Sequence, residues 1–88
     1  MRISNLFEDH QVREAVENAQ LRAYERLSSL TPRQRDVAVL ISEGLPNKII
    51  AHRLGLSTRT VENHRVEILQ KTEVKSIAGL VRLVLLAG

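Results

Sequence analysis

The 88 residues include no cysteine, which excludes disulfides, thiolate zinc sites and a cysteine nucleophile. Aromatic residues are almost as scarce: Phe7 and Tyr24 are the only two, 2% of the chain. Proteins that hold single-stranded nucleic acid stack the bases on aromatic platforms, and this chain has almost none to offer. No glycine-rich phosphate loop, repeat or low-complexity tract is present. The longest apolar run, Ile77 to Ala87, is interrupted by Arg82 and falls well short of the roughly 20 residues a membrane-crossing helix needs. The N-terminus carries Glu8, Asp9 and Glu14 rather than a basic region ahead of an apolar stretch, so no signal peptide is expected. A cytoplasmic protein with no membrane contact follows as the expectation.

Hydrophobic residues make up 43% of the chain, enough for the core of one small domain. A chain this short must bury its apolar surface efficiently or dimerise. Charge is unevenly placed. Residues 1–30 hold four basic and five acidic side chains, whereas residues 31–88 hold nine basic and five acidic. The positive excess lies in the C-terminal two thirds, where it can meet a polyanion.

Apolar spacing and helix punctuation predict an all-α fold. Residues 5–28 contain neither glycine nor proline and place Val12, Val16, Ala19, Ala23 and Leu27 at helical steps. Thr31, Pro32 and Gln34 suit an N-cap, a first helical position and a capping box; Val37, Leu40 and Ile41 form the inner face, and Gly44 closes that helix. A short helix over about Lys48 to Leu54 stops at Gly55. Ser57 then caps a longer helix from about Thr58 to Lys71, and a last helix runs from about Ser76 to Leu86. The division expected is 1–29 as an N-terminal linker helix and 30–88 as the functional domain.

A short helix, a three-residue turn opening on glycine and a longer capped helix describe a helix-turn-helix. Ile50, Leu54, Leu56 and Val61 would lock its two helices, with small Ala51 at their closest approach. At about 100° per residue, Val61, His64, Ile68 and marginally Arg65 turn inward. Arg59, Glu62, Asn63, Val66 and Gln70 share the outer face. Arg can donate to guanine, Asn can pair with adenine, Glu can accept from cytosine, and Val can touch a thymine methyl. Arg59, Glu62, Asn63 and Val66 are therefore the candidate base readers. Lys48, Arg53, Ser57, Thr58, Thr60, Arg65 and Lys71 flank them as candidate phosphate donors. The competing reading is the solvated face of a small bundle.

Leu30-Thr31-Pro32-Arg33-Gln34-Arg35, Gly44-Leu45-Pro46-Asn47-Lys48-Ile49-Ile50-Ala51, Leu54-Gly55-Leu56-Ser57 and Thr60-Val61-Glu62-Asn63-His64-Arg65 resemble the LuxR-type (GerE-like) DNA-binding domain. More narrowly, they resemble the output domains of NarL/FixJ response regulators, and the resemblance covers roughly residues 30–87. It implies a four-helix domain that serves transcription regulation in a two-component system, with its recognition helix (58–71 here) in the major groove of double-stranded DNA. By position, Glu62, Asn63 and Val66 would face bases, while Lys48, Arg59, Thr60 and Arg65 would hold phosphates. Thr72 stands where the family usually has a bulky apolar residue, which implies looser packing there. Glu62 and Val66 stand where some relatives carry lysine, which implies weaker nonspecific binding and a different target.

The last helix points to a homodimer. Ile77, Leu80, Val81, Val84 and Leu85 make one stripe, and Ala78, Leu83, Leu86 and Ala87 leave the remainder apolar too. One face can pack on the core, and the other then needs a partner. Gly79 inside this helix fits a close backbone approach. Ile77, Leu80, Val81 and Val84 are the expected interface, and the resemblance adds a two-fold dimer on an inverted repeat and RNA polymerase as a further partner. Phe7-Glu8-Asp9 with Val12, Ala15 and Val16 is similar to the entry into the last helix of a receiver domain. That reading makes the chain either a piece of a longer regulator or a natural single-domain relative; a second coiled-coil contact is the other reading of this helix.

Catalysis is not expected. His10, His52 and His64 show no metal-ligand spacing, Ser28, Ser29 and Thr31 have no acid–base companion, and no cofactor or small-molecule ligand is implied. Two readings compete with a DNA-binding regulator. One is a sigma-factor region 4-like module, against which the apolar last helix argues. The other is a helical adaptor that keeps the fold but binds protein, a reading that Glu62 and the modest net charge keep open.

Overall fold

The computed structural model describes residues 9–88, which form five α-helices and no strands. They are α1 (His10–Ser28), α2 (Pro32–Ser42), α3 (Asn47–Leu54), α4 (Thr58–Thr72) and α5 (Ile77–Ala87). Phe7 and Glu8, part of the receiver-like entry, lie outside the described residues. Residues 5–8 of the first expected helix likewise lie outside the described residues. Asp9 is extended (ψ 123°), and its carboxylate accepts from the Gln11 and Val12 N–H groups, capping the helix that starts at His10.

Each later helix begins where its local chemistry directs. At α2 the Thr31 hydroxyl accepts from the Gln34 N–H at 3.1 Å, and the Gln34 side-chain oxygen accepts from the Thr31 N–H at 3.1 Å, with Pro32 at the first helical position. At α4 the Ser57 hydroxyl accepts from the Thr60 N–H, and at α5 the Ser76 hydroxyl accepts from the Gly79 N–H. These caps satisfy backbone donors that the first helical turn cannot pair internally.

Inward side chains of α2 to α5 build one core. Val37, Ile50, Val61, Ile68 and Leu80 are fully buried, joined by Leu30, Ala38, Ile41 and Ala51. Burying each large aliphatic side chain contributes roughly 1.5–3 kcal/mol, and helices drawn from four parts of the sequence share the gain. Thr72 is also fully enclosed, its hydroxyl donating to the Ile68 carbonyl at 2.7 Å. The helix thus satisfies the buried hydroxyl itself, at the position where the resemblance implies a bulky apolar residue.

Two expectations for α5 need correction. Leu80 is a core residue rather than an interface residue, since it lies fully buried in the chain's own cluster. Nor is the rest of the α5 stripe left bare, because α1 packs more extensively on α5 than on any other helix. Ile77, Val81 and Val84 are consequently half-buried, and Leu85, at 72% exposure, is the most open large apolar side chain described. Gly79 also has an explanation within the chain. A methyl group there would meet the Val74 side chain at 3.2 Å, so the close approach comes from the α4–α5 turn.

Candidate nucleic-acid interface

The turn between α3 and α4 aims the second helix. Gly55 adopts the left-handed conformation (φ 66°, ψ 33°), and the following Leu56 N–H donates back to the Ala51 carbonyl at 2.9 Å. This reversal ends α3 in one residue. Leu56 tucks against the core, and Ser57 restarts the chain. Ile50 and Ala51 on α3 and Val61 and Ile68 on α4 then hold the pair by burial.

With Val61, Ile68 and Thr72 inward, the opposite face of α4 is turned to solvent. Arg59, Glu62, Asn63, Val66 and Gln70 are all exposed. None of these side chains takes part in a hydrogen bond or ion pair among the described residues. Val66 is 57% exposed, an apolar group among polar neighbours. The four expected base readers thus lie together over about two turns, roughly 10 Å of helix.

The flanks differ residue by residue. Lys48 is exposed in the first turn of α3, which starts at Pro46 without a side-chain cap; the earliest N–H groups of this helix therefore lack an intrahelical partner. Thr58 is exposed at the start of α4, and the Ser57 and Thr60 hydroxyls lie 2.9 Å apart, bonded to each other. Arg65 is half-buried, and its Nη1 donates to Asn47 Oδ1 at 3.1 Å, tying α4 to the start of α3. A guanidinium has five N–H donors, so this bond leaves others for a phosphate. Arg53 is exposed near the turn. Residues 47–72 carry five basic and two acidic side chains. Among the described residues, the Arg33–Asp36 ion pair and the His10–Glu14 contact lie outside that segment.

Lys71 does not join this ring. Its ammonium donates to the Gln34 side-chain oxygen at 2.9 Å, at the far end of α4, about 21 Å along the helix from Ser57. The same Gln34 donates through Nε2 to Glu67 Oε2 at 2.7 Å. Gln34, 2% exposed, is therefore a polar junction between α2 and α4. Sequence reasoning found it only as half of a capping box. Asn47, just ahead of the short helix read from about Lys48, proves to be the partner of Arg65.

No helix among the described residues is long and apolar enough to cross a membrane. They also contain no group of three or more His, Cys, Asp or Glu side chains placed to hold a metal ion. A groove of about 280 Å³ opens between α1, α2 and the end of α5, lined by Tyr24, Leu27, Val39 and Val84 among others, with no residue of α3 or α4. It stands apart from the candidate interface.

A family model described as bacterial regulatory proteins, luxR family (GerE), matches residues 28–84. The chain is 40% identical over 101 residues to the transcriptional regulatory protein FixJ of Rhizobium meliloti (strain 1021), covering 98% of this chain and 48% of that protein. It is 48% identical over 50 residues to the nitrate/nitrite response regulator protein NarL of Escherichia coli (strain K12), covering 57% of this chain and 23% of that protein. Among solved structures, full-length FixJ from B. japonicum superposes with a TM-score of 0.78 at 36% identity, covering 86% of this chain and 37% of the other. The response regulator StyR gives 0.71 at 43% identity, covering 82% and 36%. The chain thus spans less than half the length of each of these relatives.

Proposed function

The chain belongs to the luxR family of bacterial regulatory proteins, and from that premise we propose that it is a sequence-specific regulator of transcription that reads double-stranded DNA with α4. The observation that carries this reading is the outward face of α4. Arg59, Glu62, Asn63 and Val66 are exposed together and held by no intramolecular hydrogen bond or ion pair among the described residues. A helix fits the major groove, where each base pair offers a distinct pattern of donors, acceptors and methyl groups. In this reading Asn63 pairs with adenine, Glu62 accepts from cytosine, Val66 packs on a thymine methyl, and Arg59 donates to guanine or to a neighbouring phosphate. Lys48, Arg65, Ser57, Thr58 and Thr60 hold the backbone, the last three with help from N–H groups at the start of α4.

The partner chain is a second copy, and the target is an inverted repeat with half-sites about 10 base pairs apart. The dimer forms on the solvent side of α5, where Leu85 is open and Val81 and Val84 are half-buried; Ile77 contributes from the same half-buried stripe. Regulation of transcription brings RNA polymerase as a further partner and the cytoplasm as the setting. Residues 30–88 act as the DNA-binding domain, with 1–29 as the linker helix ahead of it.

Selection from a random duplex library tests the reading. It predicts a two-fold symmetric consensus whose binding weakens steeply as salt rises, because cations released from the phosphates drive association. Recovery of no preferred duplex would refute it and favour a protein-binding adaptor on the same fold.

A further inference from the structure

We propose that Gln34 is a positioning residue for DNA reading, fixing the rotation of α4 about its own axis; this rests on the function proposed above. The aliphatic contacts that hold α4, through Val61 and Ile68, come from nondirectional burial. The bonds from Gln34 are directional. Its amide nitrogen donates to Glu67 Oε2 at 2.7 Å, and its oxygen accepts from Lys71 Nζ at 2.9 Å and from the Thr31 N–H at 3.1 Å. Two of these partners carry charge, which shortens and strengthens the bonds. The oxygen is also held by the α2 cap, so the amide cannot flip without breaking the capping box.

The placement of these bonds matters for reading. Glu67 lies one turn beyond Asn63, and Lys71 one turn beyond Glu67, so the clamp begins one turn from a base reader. Arg65, bonded to Asn47, lies roughly 200° around the helix from Glu67 and anchors the opposite flank. A rotation of about 10° moves a side-chain tip about 6 Å from the helix axis by about 1 Å. That displacement takes a base-edge hydrogen bond out of range.

The test compares wild type, Gln34→Ala, Gln34→Glu and the exchange Gln34→Glu/Glu67→Gln. The single Gln34→Glu change keeps the Thr31 and Lys71 bonds but sets two carboxylates against each other. The exchange restores all three bonds, with the amide now at position 67 as the donor. Residual dipolar couplings on the free protein give the orientation of α4 relative to α2, independently of any DNA. Titrations then give the affinity for the selected duplex relative to a scrambled one. Expected are a reoriented α4 in Gln34→Ala and Gln34→Glu, a roughly tenfold fall in that ratio with little change for scrambled duplex, and recovery of both readouts in the exchange variant. An unchanged orientation in folded Gln34→Ala, or in Gln34→Glu should the alanine variant not fold, would overturn the proposal, even with a lower melting temperature. If wild type selects no duplex, the DNA-reading function fails, and the couplings still decide whether Gln34 sets the helix angle.

Discussion

The residues that end α3 and α4 predict stability changes of opposite sign. Gly55 and Glu73 both sit in the left-handed region, at φ 66° and 59°, but only Gly55 occupies it without cost. For Gly55→Ala the added methyl would meet nothing within 4 Å, so the effect is purely conformational. An L-residue in this region costs roughly 1–2 kcal/mol, offset by several tenths from the lower entropy of the unfolded chain. A net loss of about 1 kcal/mol lowers the melting temperature by about 4–8 °C in a domain of this size. Glu73→Gly removes the same strain. Its side chain is exposed and makes no ion pair or hydrogen bond among the described residues, so a gain of about 0.5–1 kcal/mol is expected. Urea denaturation followed by circular dichroism measures both. A neutral Gly55→Ala together with a destabilised Glu73→Gly would refute the assignment of strain to these two helix ends.

Three further outcomes follow from the same geometry. Ile68→Ala empties a fully buried position on the inner face of α4 and is expected to cost about 2–5 kcal/mol, read from the denaturation midpoint. Leu85→Glu places a charge where the side chain is already 72% exposed; it should leave monomer stability within about 0.5 kcal/mol of wild type while shifting sedimentation to monomer, and an unchanged dimer mass would move the interface away from α5. Lys48→Ala should weaken binding to all duplexes alike and reduce the salt slope by about 1, as titrations across salt concentrations would show.

Features governed by near neighbours in sequence were legible before the structure. The Thr31–Gln34 capping box, the turn at Gly55 and the restart at Ser57 each depend on residues three to five apart, and all occur as read. The outer face of α4 followed from helical periodicity once Val61 and Ile68 were taken as inward. What escaped depends on distant partners. Gln34 meets Glu67 and Lys71 across 33 and 37 residues, and nothing local distinguishes a cap from a junction. Leu80 and Leu85 both belong to an almost wholly apolar helix, and periodicity cannot say which side of such a helix the core takes. The cover that α1 provides for α5 was hidden for the same reason. Glu73 gave no warning of a left-handed residue, because the usual marker for that conformation is glycine or asparagine.

If side chains on the outer face of α4 read base identity, removing one of them must change the preferred sequence. Parallel selections from random duplexes with wild type and Asn63→Ala test it most directly. Asn63→Ala is expected to relax or change the preference at one position in each half-site, an adenine in the wild-type consensus, and to leave the other positions as they were. An unchanged consensus recovered with uniformly weaker binding would contradict it.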